Sequence, residues 1–307
     1  MESYRGYECM IKLFKGYFII SIMAAVLMIA GGVLGLLDII PLDIIPFWAE
    51  IVLIIVLYGV VLLMSVLSVK KYTKICDIAN TDPDKFVEMS DEMAKRSAGV
   101  RRMVLGNAIV ALLNHERVYE AERRTAEYGK DLKPNDIVGR FMYSNYMCCI
   151  DILKRDFSRM DLYINDQRMC LQQMSVNRPR GINDLTLQRF HAAVEKEAFE
   201  AEFYSRPPER LMNEDRQIVL NYIANADILR GFSRKGAVMY ECTEKLLDYD
   251  KGMAYAVIGE REKAAQFLTS AAECGFTYPF VERAKKWLQS GDVNVLMRNG
   301  RAAEVEK

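Results

Sequence analysis

The sequence predicts an all-α protein in two parts: an N-terminal two-helix transmembrane hairpin, then an α-solenoid of short helical hairpins. Three observations carry this. Two long runs, 17–37 and 51–69, contain no charged residue. After residue 74, apolar residues recur at three- and four-residue spacing, the period of a helix buried on one face. Proline, glycine and Asp/Asn then cut that stretch into short segments joined by turns of a few residues.

Residues 1–16 form a short leading segment with Lys12 and Lys15 near its end. Tyr17–Leu37 is an uncharged run of 21 residues and Ile51–Val69 one of 19. At about 1.5 Å of rise per residue, each reaches across a hydrocarbon core of about 30 Å. The spans are placed at about 17–37 and 48–69. A cleaved signal peptide fits poorly, because the first apolar run is too long and ends in Leu37-Asp38-Ile39-Ile40-Pro41 without a small-x-small site.

Lysines orient the hairpin. Lys12 and Lys15 precede the first span, Lys70, Lys71 and Lys74 follow the second, and the 38–48 connection has neither Lys nor Arg. Basic flanks remain cytoplasmic, so both termini are expected inside. Tyr17, Phe18, Phe47, Trp48 and Tyr72 sit where interfacial aromatics belong. Glu50, one turn inside the second span, reads as an interfacial carboxylate. Gly31, Gly32 and Gly35 give the first span a small-residue face, and Gly59 is the single glycine of the second. Such faces allow close helix approach, within the hairpin or in an oligomer.

The basic linker 70–82 leads to a helical domain at 83–290. Asp82-Pro83 is a cap with proline at the first helical position, opening a helix to about Ala98 that Gly99 breaks. Helices are expected at Val100–Leu113, Val118–Tyr128 (ending at Gly129), Asp136–Leu153 and Phe157–Met174. A loop follows at Ser175–Asn183, then a helix at Leu185–Tyr204. Shorter ones are placed at 209–214, 216–231, 235–247, 249–258, 261–274 and Phe280–Leu288. The 291–307 tail reads as polar and frayed. Each hairpin is too thin to bury its own apolar face, and stacking solves that.

Residues 251–271 resemble a tetratricopeptide repeat, through Gly252, Tyr255, Gly259, Ala264, Leu268 and Ala271. Gly252 is small where the first helix touches the second, Tyr255 fills between them, Gly259 turns the chain, and the alanines admit close neighbours. Leu112, Glu116, Val118 and Ala121 resemble the same turn, with Glu in place of glycine. Cys148–Met160 resembles it more weakly, and Ala224, Gly231, Gly236 and Tyr240 fit a further time. The units are unevenly spaced, so no groove residues are carried over. The resemblance implies a concave surface that binds a protein or peptide.

The whole chain has 41 basic and 41 acidic residues, and its mean hydropathy is −0.02. Six of the basic and five of the acidic residues precede residue 75, which leaves 35 against 36 in the helical part. Arg101-Arg102, Arg123-Arg124 and Arg178/Arg180 are local spots in a neutral background, so nucleic acid is not an expected partner. The seven cysteines include no C-x-x-C pair; Cys148-Cys149 reads as core. His115 reads as solvated, and His191 falls outside any H-E-x-x-H pattern. Glu195/Glu197 reads as a solvated helix face. No phosphate loop, nucleophile elbow or dinucleotide fingerprint is present. No enzyme activity, cofactor or metal is therefore expected. The expectation is an integral membrane protein whose cytoplasmic helical domain recruits or scaffolds a protein or peptide at the bilayer, or else a regulatory or assembly subunit acting through its hairpin.

Overall fold

The computed structural model describes residues 78–96, 98–179, 181–232 and 240–297, together with Gly59. The expected spans (Gly59 apart), their flanking lysines and residues 298–307 lie outside the described residues. Among the described residues, no helix is long and apolar enough to cross a membrane. The chain divides into two units, 5–74 and the remainder. Apart from Gly59, the described residues belong to the second, and they are all-helical.

Eleven α-helices are described: α1 Pro83–Arg96, α2 Ala98–Asn114, α3 Val118–Lys130, α4 Ile137–Lys154, α5 Met160–Val176, α6 Asp184–Tyr204, α7 Pro208–Met212, α8 Arg216–Gly231, α9 Tyr240–Val257, α10 Arg261–Ala272 and α11 Pro279–Ser290. Three of their starts carry a side-chain cap. The Lys85 amide donates to Asp82 Oδ1 at 3.0 Å, Gly139 to Asp136 Oδ1 at 2.9 Å and Thr186 to Asn183 Oδ1 at 2.8 Å.

Three reversals share one construction. After α2, α4 and α9 the chain enters the left-handed region at Glu116 (φ 58°), Arg155 (φ 56°) and Gly259 (φ 79°). In each, that residue's amide bonds the carbonyl three back (Leu113, Ile152 and Ala256, 3.0–3.1 Å). The next amide bonds the carbonyl five back (Leu112, Asp151 and Tyr255, 2.9 Å). This is a Schellman motif, which satisfies the orphan carbonyls as it turns the chain. Five residues beyond each turn residue lies a buried side chain: Ala121 at 0%, Met160 at 3% and Ala264 at 0% exposure.

Helices pack mainly on their chain neighbours, with α7 too short to interrupt the α6–α8 contact. Second-neighbour contacts α2–α4, α4–α6 and α9–α11 stack the hairpins. One apolar core runs from Leu105 on α2 to Met297. A smaller cluster, Leu112, Val118, Ala121, Met147, Ile150 and Leu153, seals the α2–α3 hairpin against α4.

Several boundaries differ from the sequence reading. Gly99 lies in the first turn of α2, not in a break. The helix continues through Gly129, whose missing Cβ would stand 2.9 Å from the Tyr143 ring, so its smallness admits that ring. Residues 240–257 form one helix, not two. Its midpoint Asp248 bonds Arg230 at 2.5 Å and Ser270 at 2.6 Å, while Tyr249 is fully buried. Polar residues that read as punctuation therefore have partners on α8 and α10. The 291–297 stretch is docked, not frayed: Leu296 is 0% exposed, and Tyr249 Oη donates to its carbonyl at 2.5 Å.

The array also joins its own ends. The Thr277 amide donates to Asn80 O at 3.1 Å, and Tyr278 Oη donates to Asn80 Oδ1 at 2.6 Å. Arg283 grips Glu116 with both terminal nitrogens, Nη1 lying 2.8 Å from Oε2. An open superhelix leaves its ends apart; here the hairpin after α10 returns to the residues before α1.

At Gly252 an added Cβ would lie 2.6 Å from Leu268 Cγ, whereas at Gly275 it would meet nothing within 4 Å. We expect G252A to lower unfolding stability by about 1–3 kcal/mol, and G275A to change it by less than about 1 kcal/mol, measured by urea denaturation of the full chain.

Candidate functional site

The described residues hold a buried polar seam that crosses five helices. Glu197 on α6, 5% exposed, accepts hydrogen bonds from Asn145 Nδ2 of α4 and, at 2.7 Å, from Gln167 Nε2 of α5. The same Gln167 nitrogen lies 3.2 Å from Cys148 Sγ. One residue earlier, Lys196 Nζ pairs with Glu200 at 3.0 Å and with Asp250 of α9 at 3.3 Å, and stands 5.7 Å from the Tyr222 ring centre of α8. Asp250 is fully buried.

The helical period makes this seam. Positions 196, 197 and 200 lie within a little over one turn of α6, on the side that meets α4, α5, α8 and α9. The neighbouring Glu195 faces outward and pairs with Arg168 at 3.0 Å. The sequence reading placed Glu195 and Glu197 together on a solvated face. That holds for Glu195 and is corrected for Glu197.

Burial dominates the electrostatics. It pushes the Glu197 carboxyl up to about 8, helped by nearby Glu200 and opposed by the bonds from Gln167 and Cys148 and by Lys196. Glu197 therefore carries a proton at neutral pH. Burial also drives the Cys148 thiol upward, so it remains an unreactive thiol. Gln167 Oε1 and Asn225 Oδ1 are buried without a hydrogen-bond donor among the described residues. With protonated Glu197, amides and a neutral thiol, the seam cross-links helices; it offers no activated nucleophile. Among the described residues, no group of three or more His, Cys, Asp or Glu is arranged to hold a metal.

The repeat-signature residues come together at the α9–α10 turn. Gly252 packs on Leu268, Tyr255 stacks on Phe267 at 5.7 Å, and Ala264, Leu268 and Ala271 are fully buried. The topology lysines, Lys12, Lys15, Lys70, Lys71 and Lys74, lie outside the described residues. Four of the spot arginines are paired: Arg101 with Asp131 at 3.2 Å, Arg102 with Asp136, Arg124 with Asp91 through two bonds of 2.6 and 2.7 Å, and Arg178 with Asp184 at 2.7 Å; Arg123 is exposed, and Arg180 lies outside the described residues. His115 is half-buried rather than fully solvated: its Nε2 lies 2.9 Å from Ala79 O, and its ring is 4.5 Å from that of Tyr278.

On the outside, Leu162, Met169 and Val176 recur every seven residues along α5 and are 65%, 53% and 77% exposed. Residues seven apart on a helix share a face, so these make one apolar stripe. Compared with family models, with curated proteins and with solved structures, the chain matches none.

The seam sets a pH dependence. Between about pH 4.5 and 8, native Glu197 keeps a proton that the unfolded chain has released, so stability falls as pH rises through that window, by at most about 1.4 kcal/mol per unit. E197Q removes this slope. In urea denaturation at pH 5 and pH 8, the variant should gain on the wild type by at least about 1 kcal/mol between the two. Parallel profiles would show that Glu197 does not hold its proton.

Proposed function

We propose that the protein is a membrane-anchored interaction module. The 17–69 hairpin sits in the bilayer with both termini cytoplasmic, and the tetratricopeptide-like array at 83–290 recruits or scaffolds a protein or peptide there. The observation that carries this reading is the thrice-repeated reversal at Glu116, Arg155 and Gly259, with its buried residue five positions on. Stacked hairpins of this type present extended surfaces for recognition. The uncharged runs and the placement of Lys12, Lys15, Lys70, Lys71 and Lys74 support the anchor.

Closure of the array and the filling of its interior by Tyr146, Phe190, Phe203, Tyr222 and Tyr249 direct attention to the outer faces. The α5 stripe is the apolar feature there that recurs along one helix face, beside scattered exposed residues such as Tyr119 and Ile228 among the described residues. Anchoring adds to weak recognition by raising local concentration at the membrane.

The Gly31/Gly35 face favours a second reading, in which the hairpin packs against another membrane protein and the chain is a regulatory or assembly subunit.

Affinity capture from detergent-solubilised membranes tests both readings. Under the first, partners are lost on L162E/M169E and retained when Gly31 and Gly35 are replaced by leucine; under the second the pattern is reversed. A protease-protection assay that places residue 307 outside the cytoplasm would overturn the orientation.

A further inference from the structure

The junction between the two ends of the array differs from its other contacts. Successive helices share the apolar core as well as polar links, whereas the ends are tied through a small set of polar groups around one histidine. His115 follows α2. Its Nε2 donates to Ala79 O at 2.9 Å, and its ring leans on Tyr278 at 4.5 Å. Ala79 and Tyr278 are both fully buried. Tyr278 also bonds Asn80, and Thr277 bonds the Asn80 and Thr81 carbonyls. Next to His115, Glu116 holds a left-handed backbone, a conformation that costs a residue with a Cβ about 1 kcal/mol or more. Its carboxylate is gripped by Arg283, the two side chains being 12% and 16% exposed. A glycine would make the same turn without that cost, as Gly259 does in the α9–α10 reversal. The glutamate is thus explained by its hold on Arg283, not by the turn.

We propose that this junction is a proton-sensitive clasp, which holds the two ends of the helical array together at neutral pH and releases them when His115 is protonated. With Nε2 donating to Ala79, the free lone pair is on Nδ1, and a proton there places a full charge in the junction. Arg117 of the turn and Asp84 of α1 act on it by charge, Tyr278 lies against its ring, and Glu116 and Arg283 pair at the residue next to it. Both arginines are already neutralised, Arg117 by Asp84 and Glu120 and Arg283 by Glu116. Asp84 and Glu116 are thus each already engaged with an arginine. Burial lowers its proton affinity below the ordinary 6.5, the Ala79 carbonyl raises it, Arg117 lowers it and Asp84 raises it. A histidine shifted this way contributes stability above its ordinary pKa that is lost as pH falls below it. The clasp therefore opens on acidification.

The clasp includes residues 78–81, which lie in the last part of the 70–82 linker, just before α1. Hydrogen exchange of the purified full chain at pH 7.5 and 5.5, corrected for intrinsic rates, tests the clasp. The reporter is the Thr277 amide, bonded to Asn80, and the internal reference is the Glu260 amide in the α9–α10 turn. In the wild type, protection of Thr277 relative to Glu260 should drop several-fold at pH 5.5, up to the limit of about tenfold that one histidine of ordinary pKa 6.5 can supply over this range. H115Q keeps a donor for Ala79 and has no titrating site, so it should keep that protection at both pH values. R283Q should lose it at both. An unchanged protection ratio in the wild type overturns the proposal, as does an equal loss in H115Q. If R283Q does not fold, the comparison of H115Q with the wild type decides the matter alone.

Discussion

A helix that ends must satisfy its last carbonyls, and the way this chain does so constrains everything built on it. The Schellman turn at Glu116, Arg155 and Gly259 ties off one helix and aims the next back along it. Each hairpin then has an apolar side with nothing to cover it except the next hairpin. The continuous core from α2 to Met297 follows from that requirement. The left-handed conformation suits glycine best, and only one of the three turns uses it. In the α2–α3 turn a glutamate stands there and serves a contact 167 residues away.

Much of the local structure was legible in the sequence because it is written in nearby residues. Asp82-Pro83, Asp136 and the Gly252-to-Ala271 spacing act within one or two turns of helix, and their geometry follows from residue size and capping chemistry. Glu116 could be recognised as the turn residue because Leu112, Val118 and Ala121 kept the spacing. Features that depend on distant partners were not legible. Glu197 looks like the charged neighbours 195 and 196 until α4 and α5 supply Asn145 and Gln167. His115 looks solvated until Ala79 and Tyr278 close on it. Asp248 reads as a helix breaker until Arg230 and Ser270 are seen beside it.

The two buried ionic features carry different weight. The seam around Glu197 and Lys196 links α4, α5, α6, α8 and α9, and a slip of one turn would strand a buried acid against apolar side chains. It contributes uniqueness of packing more than net stability, since buried charges cost desolvation. The Arg283–Glu116 pair fixes no helix register. It fastens the two ends of an array that neighbour-to-neighbour packing would also permit to be open.

Closure also has a consequence in time. The 78–81 turn leaves the ribosome roughly 200 residues before Tyr278, which at about 5–20 residues per second is an interval of roughly 10 to 40 s. Through that interval Asn80 and the ring face of His115 await a partner that has not been synthesised, while the hairpins between them are able to fold as they emerge. Completion of the domain is thus reserved for the final stretch of translation. A chain truncated before α11 would carry most of its hairpins and still present an unfinished edge next to its basic linker.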